Sequence, residues 1–112
     1  MIDPKVDCSE FLDRAVPDRV RQLVDLIARE VHTRLGPRAN VIWFGSWVTG
    51  NARANSDIDI AIAVPDGISM AEYAALWNWV DELPTFYTID LVNLSEVGAQ
   101  FRQEILKNGI VL

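Results

Sequence analysis

Helical and strand-like patterns alternate along this chain, which predicts one domain that combines helices with a β-sheet. Apolar residues recur at helical spacing from Val20 to Leu35, and apolar runs at 41–44 and 60–64 are typical of buried strands. The chain has 112 residues, enough for one hydrophobic core and too few for two. We therefore expect a single domain over 1–112, in which residues 1–15 form either an arm or a first helical turn.

Capping and turn signals predict where the helices and strands begin and end. The first helix is expected to begin at Asp18, after a proline, and to end at Gly36-Pro37. Ser69, with Glu72 three residues later, predicts a capping box at the start of another helix. We further expect strands at 41–44, 57–64 and 86–94, a short helix at 46–52, a last helix around Phe101, Ile105 and Leu106, and a short strand or core cover at 110–112.

The helix predicted after residue 69 is rich in aromatic residues. Four residues recur on one of its faces at helical spacing, namely Tyr73, Leu76, Trp77 and Val80. We expect this face to pack in the core; the alternative is a platform on which nucleotide bases stack. Trp79 falls outside the face and is therefore a candidate for a partner surface.

Charge and composition argue against several classes of protein. The chain has 16 acidic and 10 basic residues and a net charge of −6, so long DNA or RNA is not an expected partner. Its single cysteine, Cys8, cannot form an internal disulfide, and the N-terminus lacks the basic and then apolar layout of a signal peptide. No apolar stretch reaches the roughly 20 residues of a membrane helix. We expect a soluble, cytoplasmic protein.

Two aspartates open the second predicted strand. Side chains on a strand alternate between its faces, so Asp57 and Asp59 share one face while Ile58 and Ile60 point to the other. Neighbouring carboxylates repel each other, and a divalent cation relieves this repulsion. We interpret the pair as Mg²⁺ ligands. The alternative is an exposed strand edge on which Asp-x-Asp occurs by chance.

Asp90 is a third candidate acid. It lies inside an apolar strand, where an acid without a compensating group is costly to bury. Its position alternates with Ile89 and Leu91, which places it on the opposite face of the strand. If the second and third strands are neighbours, Asp90 converges on Asp57 and Asp59.

The segment between the first two strands has features of a phosphate site. Gly45 allows the backbone to approach a phosphate closely, and Ser46 can either bond a phosphate oxygen or cap the short helix. Arg53 lies between this turn and the acids, and it can either neutralise phosphate charge or pair with Asp57. A plain capped turn is the alternative, and the downstream acids favour the phosphate site.

Together these residues resemble the signature of the minimal nucleotidyltransferases, which belong to the polymerase-beta-like nucleotidyltransferase superfamily. The matching residues are Gly45-Ser46, then Asp57-Ile58-Asp59 after a spacer of ten residues, and then Asp90. The closing sequence Glu-Ile-Leu-Lys-Asn-Gly-Ile-Val-Leu at 104–112 is similar to the end of that family's members. The resemblance covers residues 17–112.

The resemblance implies an α/β (α+β) fold with a mixed, largely antiparallel sheet backed by helices. It also implies that Gly45 and Ser46 hold the β- and γ-phosphates of a nucleoside triphosphate, most simply ATP. Asp57 and Asp59 would bind two Mg²⁺ ions, and Asp90 would complete the metal site. In the implied reaction an acceptor hydroxyl attacks the α-phosphate and releases pyrophosphate.

The chain departs from the family after Gly45-Ser46. Many relatives carry two arginines there, in a Gly-Ser-Arg-x-Arg-Gly run, where this chain has Trp47, Val48, Thr49 and Gly50. In one interpretation Arg53 compensates for the missing charges. In the other, Trp47 packs beneath the loop and a partner supplies the charges.

Three functions remain open at this point. The resemblance implies an adenylyltransferase that modifies a small acceptor or a helical HEPN-type partner, as the antitoxin of a toxin–antitoxin pair. The second function is that of a non-catalytic acidic antitoxin or subunit that neutralises its partner by contact. The third is a structural domain whose acids occur by chance. Either of the first two is compatible with a homo-oligomer.

Overall fold

A long helix opens the part of the chain that the computed structural model describes, residues 16–112; the expected N-terminal arm or helical turn at 1–15 lies outside it. Helix α1 spans Asp18–Leu35 and ends at Gly36, whose φ of 94° suits glycine. This confirms the predicted helix. Its buried side chains follow the predicted spacing and are Val20, Val24, Ile27, Ala28 and Val31.

Four strands form one mixed sheet in the order β3-β2-β1-β4. They are β1 (Asn40–Phe44), β2 (Ile58–Ala63), β3 (Ile89–Asn93) and β4 (Ile110–Val111). Strand β1 is antiparallel to both β2 and β4, whereas β2 and β3 are parallel. The predicted mixed, largely antiparallel sheet is therefore confirmed.

The predicted second and third strands are longer than the observed ones. Asp57 precedes β2, which begins at Ile58 because its pairing with β3 begins there, at Ile89. Residues 86–88 precede β3, and Phe86 is fully exposed. Beyond β3 the chain forms a 3₁₀ helix, Leu94–Glu96, in which the Asn93 side chain accepts a hydrogen bond from the Ser95 backbone N–H. That turn, typical of asparagine, ends the strand earlier than predicted.

Three further helices connect and follow the strands. Helix α2 (Ser46–Thr49) is shorter than the predicted 46–52, because Gly50 adopts a left-handed conformation with φ 84° and ends it. Helix α3 (Met70–Asp81) begins with the predicted capping box. Helix α4 (Ala99–Asn108) leads into β4. None of the helices in the described residues has the length and apolar composition needed to cross a membrane.

The helices cover the two faces of the sheet unequally. On one face, which we call the closed face, α1 and α3 bury the β2 side chains Ile58, Ile60 and Ile62 in the main hydrophobic cluster. On the other, which we call the open face, helix α4 buries a cluster of four residues. These are Ile42, Ala61, Leu94 and Ile105.

The prediction for the tryptophans of α3 was wrong. Trp77 was expected in the core but is 43% exposed, whereas Trp79 is half-buried against the main cluster. The buried side of α3 is centred on Leu76 and Val80, and it extends toward Trp79, which packs against the main cluster, rather than toward Trp77. Trp79 is therefore not an unpartnered surface residue.

Candidate functional site

Strands β2 and β3 bring two of the three predicted acids together. Asp59 lies directly opposite Asp90 in the parallel register of the two strands. Both residues are half-buried and lie on the open face, because Ile58 and Ile60 occupy the closed face. Asp57 is exposed and precedes β2, and its charge acts on Asp59. The predicted approach of Asp90 to Asp59 is confirmed, whereas the convergence of all three acids and their roles stay predictions.

The surroundings of Asp59 raise the pKa of its carboxyl group. Burial, followed by the negative charges of Asp90 and Asp57 and a hydrogen bond with Asp90, raises the pKa of Asp59 from 3.8 to about 6. Each of these causes disfavours a second negative charge at this position. The site is therefore suited to either a proton or a cation between the carboxyl groups.

A divalent cation fits the donor set of this site. As the side chains stand, no three histidine, cysteine, aspartate or glutamate residues within 16–112 are arranged to hold a metal ion. Carboxylate oxygens are nevertheless the ligands that Mg²⁺ prefers, and a cation would offset the repulsion that raises the pKa of Asp59. Asp59 and Asp90 are the candidate ligands, with Asp57 as the third.

The predicted phosphate turn lies against the acid pair. Gly45 has φ 89°, and its carbonyl accepts hydrogen bonds from the backbone N–H groups of Val48 and Thr49 in α2. A Cβ atom at position 45 would overlap Oδ2 of Asp59 and lie 3.0 Å from its Cγ. Glycine is therefore required here for two reasons, the left-handed backbone and the space that Asp59 occupies.

Ser46 does not cap helix α2. The helix has no side-chain capping hydrogen bond, and Ser46 contributes through its carbonyl, which accepts from the Asn51 backbone N–H. The capping alternative for its hydroxyl is therefore wrong. The phosphate contact predicted for this hydroxyl stays a prediction.

Arg53 is exposed on the loop between α2 and β2. Its backbone N–H donates to Oγ of Ser56 at 2.7 Å, which closes a turn just before Asp57. Arg34 pairs with Glu30 and Arg38 with Asp66, and within residues 16–112 no ion pair joins Arg53 with Asp57. The alternative in which Arg53 pairs with Asp57 is therefore wrong, and its role toward phosphate stays a prediction.

Trp47 is buried beneath this loop. Its indole N–H donates to the carbonyl of Ser56 at 3.0 Å, and its ring meets Tyr87 edge-on with centroids 6.3 Å apart. The expected packing of Trp47 beneath the loop is confirmed. The two contacts join α2 to the residue before Asp57 and to the segment that leads into β3 and Asp90.

The fold and the site together indicate a nucleotidyltransferase, and a comparison with protein families decides the assignment. The family model described as "Polymerase beta, Nucleotidyltransferase" matches residues 37–112, which include every predicted site residue. The chain belongs to this nucleotidyltransferase family. No curated protein sequence is similar enough to count as a match.

Solved structures share the fold of this nucleotidyltransferase domain. A protein described as a minimal nucleotidyltransferase has 24% sequence identity and a TM-score of 0.67, over 85% of this chain and 94% of its own. A toxin–antitoxin structure with AMP-PNP has 24% identity and a TM-score of 0.58, over 76% of this chain and 68% of its own.

A third structure is a complex from Shewanella oneidensis, a tri-AMPylated HEPN toxin with an MNT antitoxin. It has 19% identity and a TM-score of 0.60, over 82% of this chain and 70% of its own. At these identities the likeness shows a shared fold.

Inspection of the sequence missed one feature beside the acids of the nucleotidyltransferase domain. Phe44, at the end of β1, lies opposite Asp59 in the β1–β2 register. Its ring meets Phe101 of α4 edge-on, with centroids 5.8 Å apart and an interplanar angle of 77°. No sequence signal pairs these two residues, because they are far apart in the chain and on different elements.

Proposed function

We propose that this nucleotidyltransferase-family protein is an active, Mg²⁺-dependent enzyme that transfers AMP from ATP to a hydroxyl group of a partner protein or small acceptor. The observation that supports the proposal is that Asp59 and Asp90 lie side by side and that Asp59 packs against the Gly45 turn. A phosphate turn and a carboxylate pair are the two parts that metal-assisted nucleotidyl transfer requires.

Each predicted site residue has a role in this proposal. Gly45 and Ser46 hold the β- and γ-phosphates, and Arg53 adds positive charge from the neighbouring loop. The carboxylates would hold two Mg²⁺ ions, which would lower the pKa of the acceptor hydroxyl and neutralise charge on the leaving pyrophosphate. The three residues that carry these carboxylates are Asp57, Asp59 and Asp90.

The proposed reaction forms one phosphorus–oxygen bond and breaks another. The acceptor oxygen bonds to the α-phosphorus, and the bond from that phosphorus to the bridging oxygen of the β-phosphate breaks. Pyrophosphate leaves with the electron pair of the broken bond. Asp90 accepts the proton of the acceptor hydroxyl.

We propose a helical HEPN-type toxin as the acceptor, which would make this protein the antitoxin of the pair. Two toxin–antitoxin structures share its fold, and in one of them the HEPN toxin is tri-AMPylated. These likenesses support the proposal through the shared fold.

Radiolabelled ATP tests the transfer directly. The protein is incubated with Mg²⁺ and host-cell extract, in parallel with ATP labelled at the α-phosphate and ATP labelled at the γ-phosphate. Nucleotidyl transfer places label in an acceptor from the α-labelled ATP alone. Asp59→Asn and Asp90→Asn should each reduce labelling by about a thousandfold or more, because each removes a charge that acts on the transition state. Label from γ-labelled ATP would instead indicate phosphoryl transfer and would overturn the proposal.

The second candidate function is neutralisation of a partner by contact alone. Trp47 and Thr49 favour it, because they stand where many relatives carry arginines, and Trp47 is buried rather than available to phosphate. In cells that co-express a HEPN-type toxin, the double variant Asp57→Asn/Asp59→Asn separates the two functions. Protection by this variant supports contact, whereas loss of protection with retained binding supports catalysis.

A further inference from the structure

Phe44 lies beside the acid pair on the open face and its ring contacts the ring of Phe101, and we call Phe44 and Phe101 the aromatic wall. Phe44 and Asp59 are directly opposite each other on antiparallel strands, so their Cβ atoms lie about 5 Å apart. The ring of Phe101 lies one aromatic contact beyond Phe44, at 5.8 Å between centroids. The inner member of the wall, Phe44, therefore lies next to Asp59, and the outer member, Phe101, lies on α4.

The outer member of the wall is exposed. Phe101 is 43% exposed, whereas Ile105, one turn later on α4, is 1% exposed in the open-face cluster. An aromatic ring held partly in water beside a site of charged groups retains apolar area that a flat ligand could cover.

Hydrogen bonds from the residue after Phe101 join the start of α4 to the segment that follows β3. The neighbouring residue, Arg102, donates from Nε to the Leu94 carbonyl at 3.1 Å and from Nη2 to the Ser95 carbonyl at 3.2 Å. Leu94 and Ser95 directly follow β3, the strand that carries Asp90. These bonds hold the start of α4, and with it Phe101, in a fixed position relative to the end of β3, the strand that carries Asp90.

We propose that the ring of Phe101 stacks on the base of the bound nucleotide. This inference rests on the proposed function and adds a base subsite to it. The phosphates would lie at Gly45 and the carboxylates, and the ribose would span the Phe44 ring to place the base on Phe101. Every nucleobase has a flat π-face, so such stacking favours nucleotides over bare polyphosphate with little preference among bases.

Calorimetric titration in the presence of Mg²⁺ tests the base subsite with two ligands, ATP and inorganic tripolyphosphate. The wild-type protein should bind ATP more tightly, because tripolyphosphate has no base to stack. Phe101→Ala should weaken ATP binding about tenfold and leave tripolyphosphate binding unchanged. Phe101→Ala should weaken CTP binding by a similar factor, because cytosine also has a flat face to stack on the ring.

Leu106→Ala and two further substitutions of Phe101 serve as controls. Leu106 is 57% exposed on the same helix, and its truncation should change the affinity for neither ligand. Phe101→Tyr keeps a flat ring and should bind ATP like the wild type, whereas Phe101→Leu keeps apolar bulk without the ring and should behave like Phe101→Ala. Circular dichroism of each variant before titration establishes that it is folded, and Phe101→Tyr keeps the test decisive if Phe101→Ala fails to fold.

Each other result overturns a distinct claim. Equal losses for ATP and tripolyphosphate in Phe101→Ala would show that the wall merely shapes the phosphate site. Unchanged ATP affinity in that variant would overturn the base subsite but leave the proposed function intact. Failure of the wild-type protein to bind either ligand would overturn the proposed function itself.

Discussion

The closed and open faces of the sheet differ in what covers them and in what they carry. On the closed face, α1 and α3 bury apolar side chains of three strands, each at most 9% exposed. On the open face, α4 covers a cluster of only four buried residues. The acids Asp59 and Asp90 lie on the open face, at the end of the strands where the Gly45 turn begins.

This difference separates stability from chemistry within a single sheet. Burial of branched apolar side chains on the closed face provides most of the hydrophobic stabilisation. The open face keeps two like-charged groups together, which opposes folding, and burial and charge raise the pKa of Asp59 to about 6 as a result. A small domain can carry such a site because the repulsion between the acids is confined to one face, while the other face provides the stability.

Truncation of one buried isoleucine on each face tests the comparison most strongly. Ile60→Ala on the closed face should lower the free energy of unfolding by about 4 kcal/mol, because its fully buried site cannot collapse around the cavity. Ile105→Ala on the open face should cost about 2 kcal/mol, because its smaller cluster can relax toward solvent. Chemical denaturation of both variants measures the difference, and equal losses would contradict the unequal coverage of the faces.

A methyl group at position 45 tests how closely the turn packs on the acid. Gly45→Ala should lower the free energy of unfolding by about 2 to 3 kcal/mol, because it strains a left-handed backbone and displaces the Asp59 carboxyl group. Gly67→Ala is the matched control, since Gly67 has φ 84° but nothing within 4 Å of an added Cβ. It should cost about 1 kcal/mol. Equal costs by thermal denaturation would show that Asp59 moves away freely.

The pH dependence of stability reports on the acid pair. The pKa of Asp59 is higher in the folded protein than in the unfolded chain, so between about pH 4 and 6 the folded state holds the extra proton. The free energy of unfolding should therefore fall as pH rises through this window. The loss is about 1 kcal/mol after allowance for solvent screening at a half-buried group.

Asp59→Asn is the control for this pH dependence. The variant should lose the part of the pH dependence that comes from position 59 and should be more stable than the wild type at pH 7, because it removes one of two like charges. A wild-type protein whose stability rises between pH 4 and 6 to the same extent as that of the variant would contradict the raised pKa.

Loss of one hydrogen bond beneath the loop should have the smallest effect. Trp47→Phe keeps most of the aromatic packing but leaves the Ser56 carbonyl without the indole donor, which should cost about 1 kcal/mol. Trp77→Phe, at a side chain that is 43% exposed, should change stability by less than about 0.5 kcal/mol. Urea denaturation distinguishes the two, and indistinguishable midpoints would mean that the bond adds nothing.

Much of the site was predictable because its chemistry depends on residue type and on short-range periodicity. Alternation along a strand predicted that Asp90 faces away from Ile89 and Leu91, and the parallel pairing of β2 with β3 confirmed its approach to Asp59. The capping box at Ser69 was predictable for the same reason, since its two hydrogen bonds join residues three apart.

The predictions that were wrong, a strand boundary and the buried tryptophan of α3, share a different cause. The start of β2 depends on where its pairing with β3 begins, and the burial of Trp79 rather than Trp77 depends on which side of α3 faces the main cluster. Neither quantity is encoded within a short window of sequence, because each depends on a second element that packs against the first.

The sequence by itself determined the alternation of helices and strands, the three acids and the glycine turn, because these follow from local periodicity, side-chain charge and backbone freedom. Only the tertiary structure decided three contacts. Asp59 occupies the space that a Cβ atom at position 45 would need, Trp47 donates to the Ser56 carbonyl, and the ring of Phe101 contacts the ring of Phe44. The physical reason is that these contacts join separate elements across the sheet, and their partners are fixed by the packing of the whole domain.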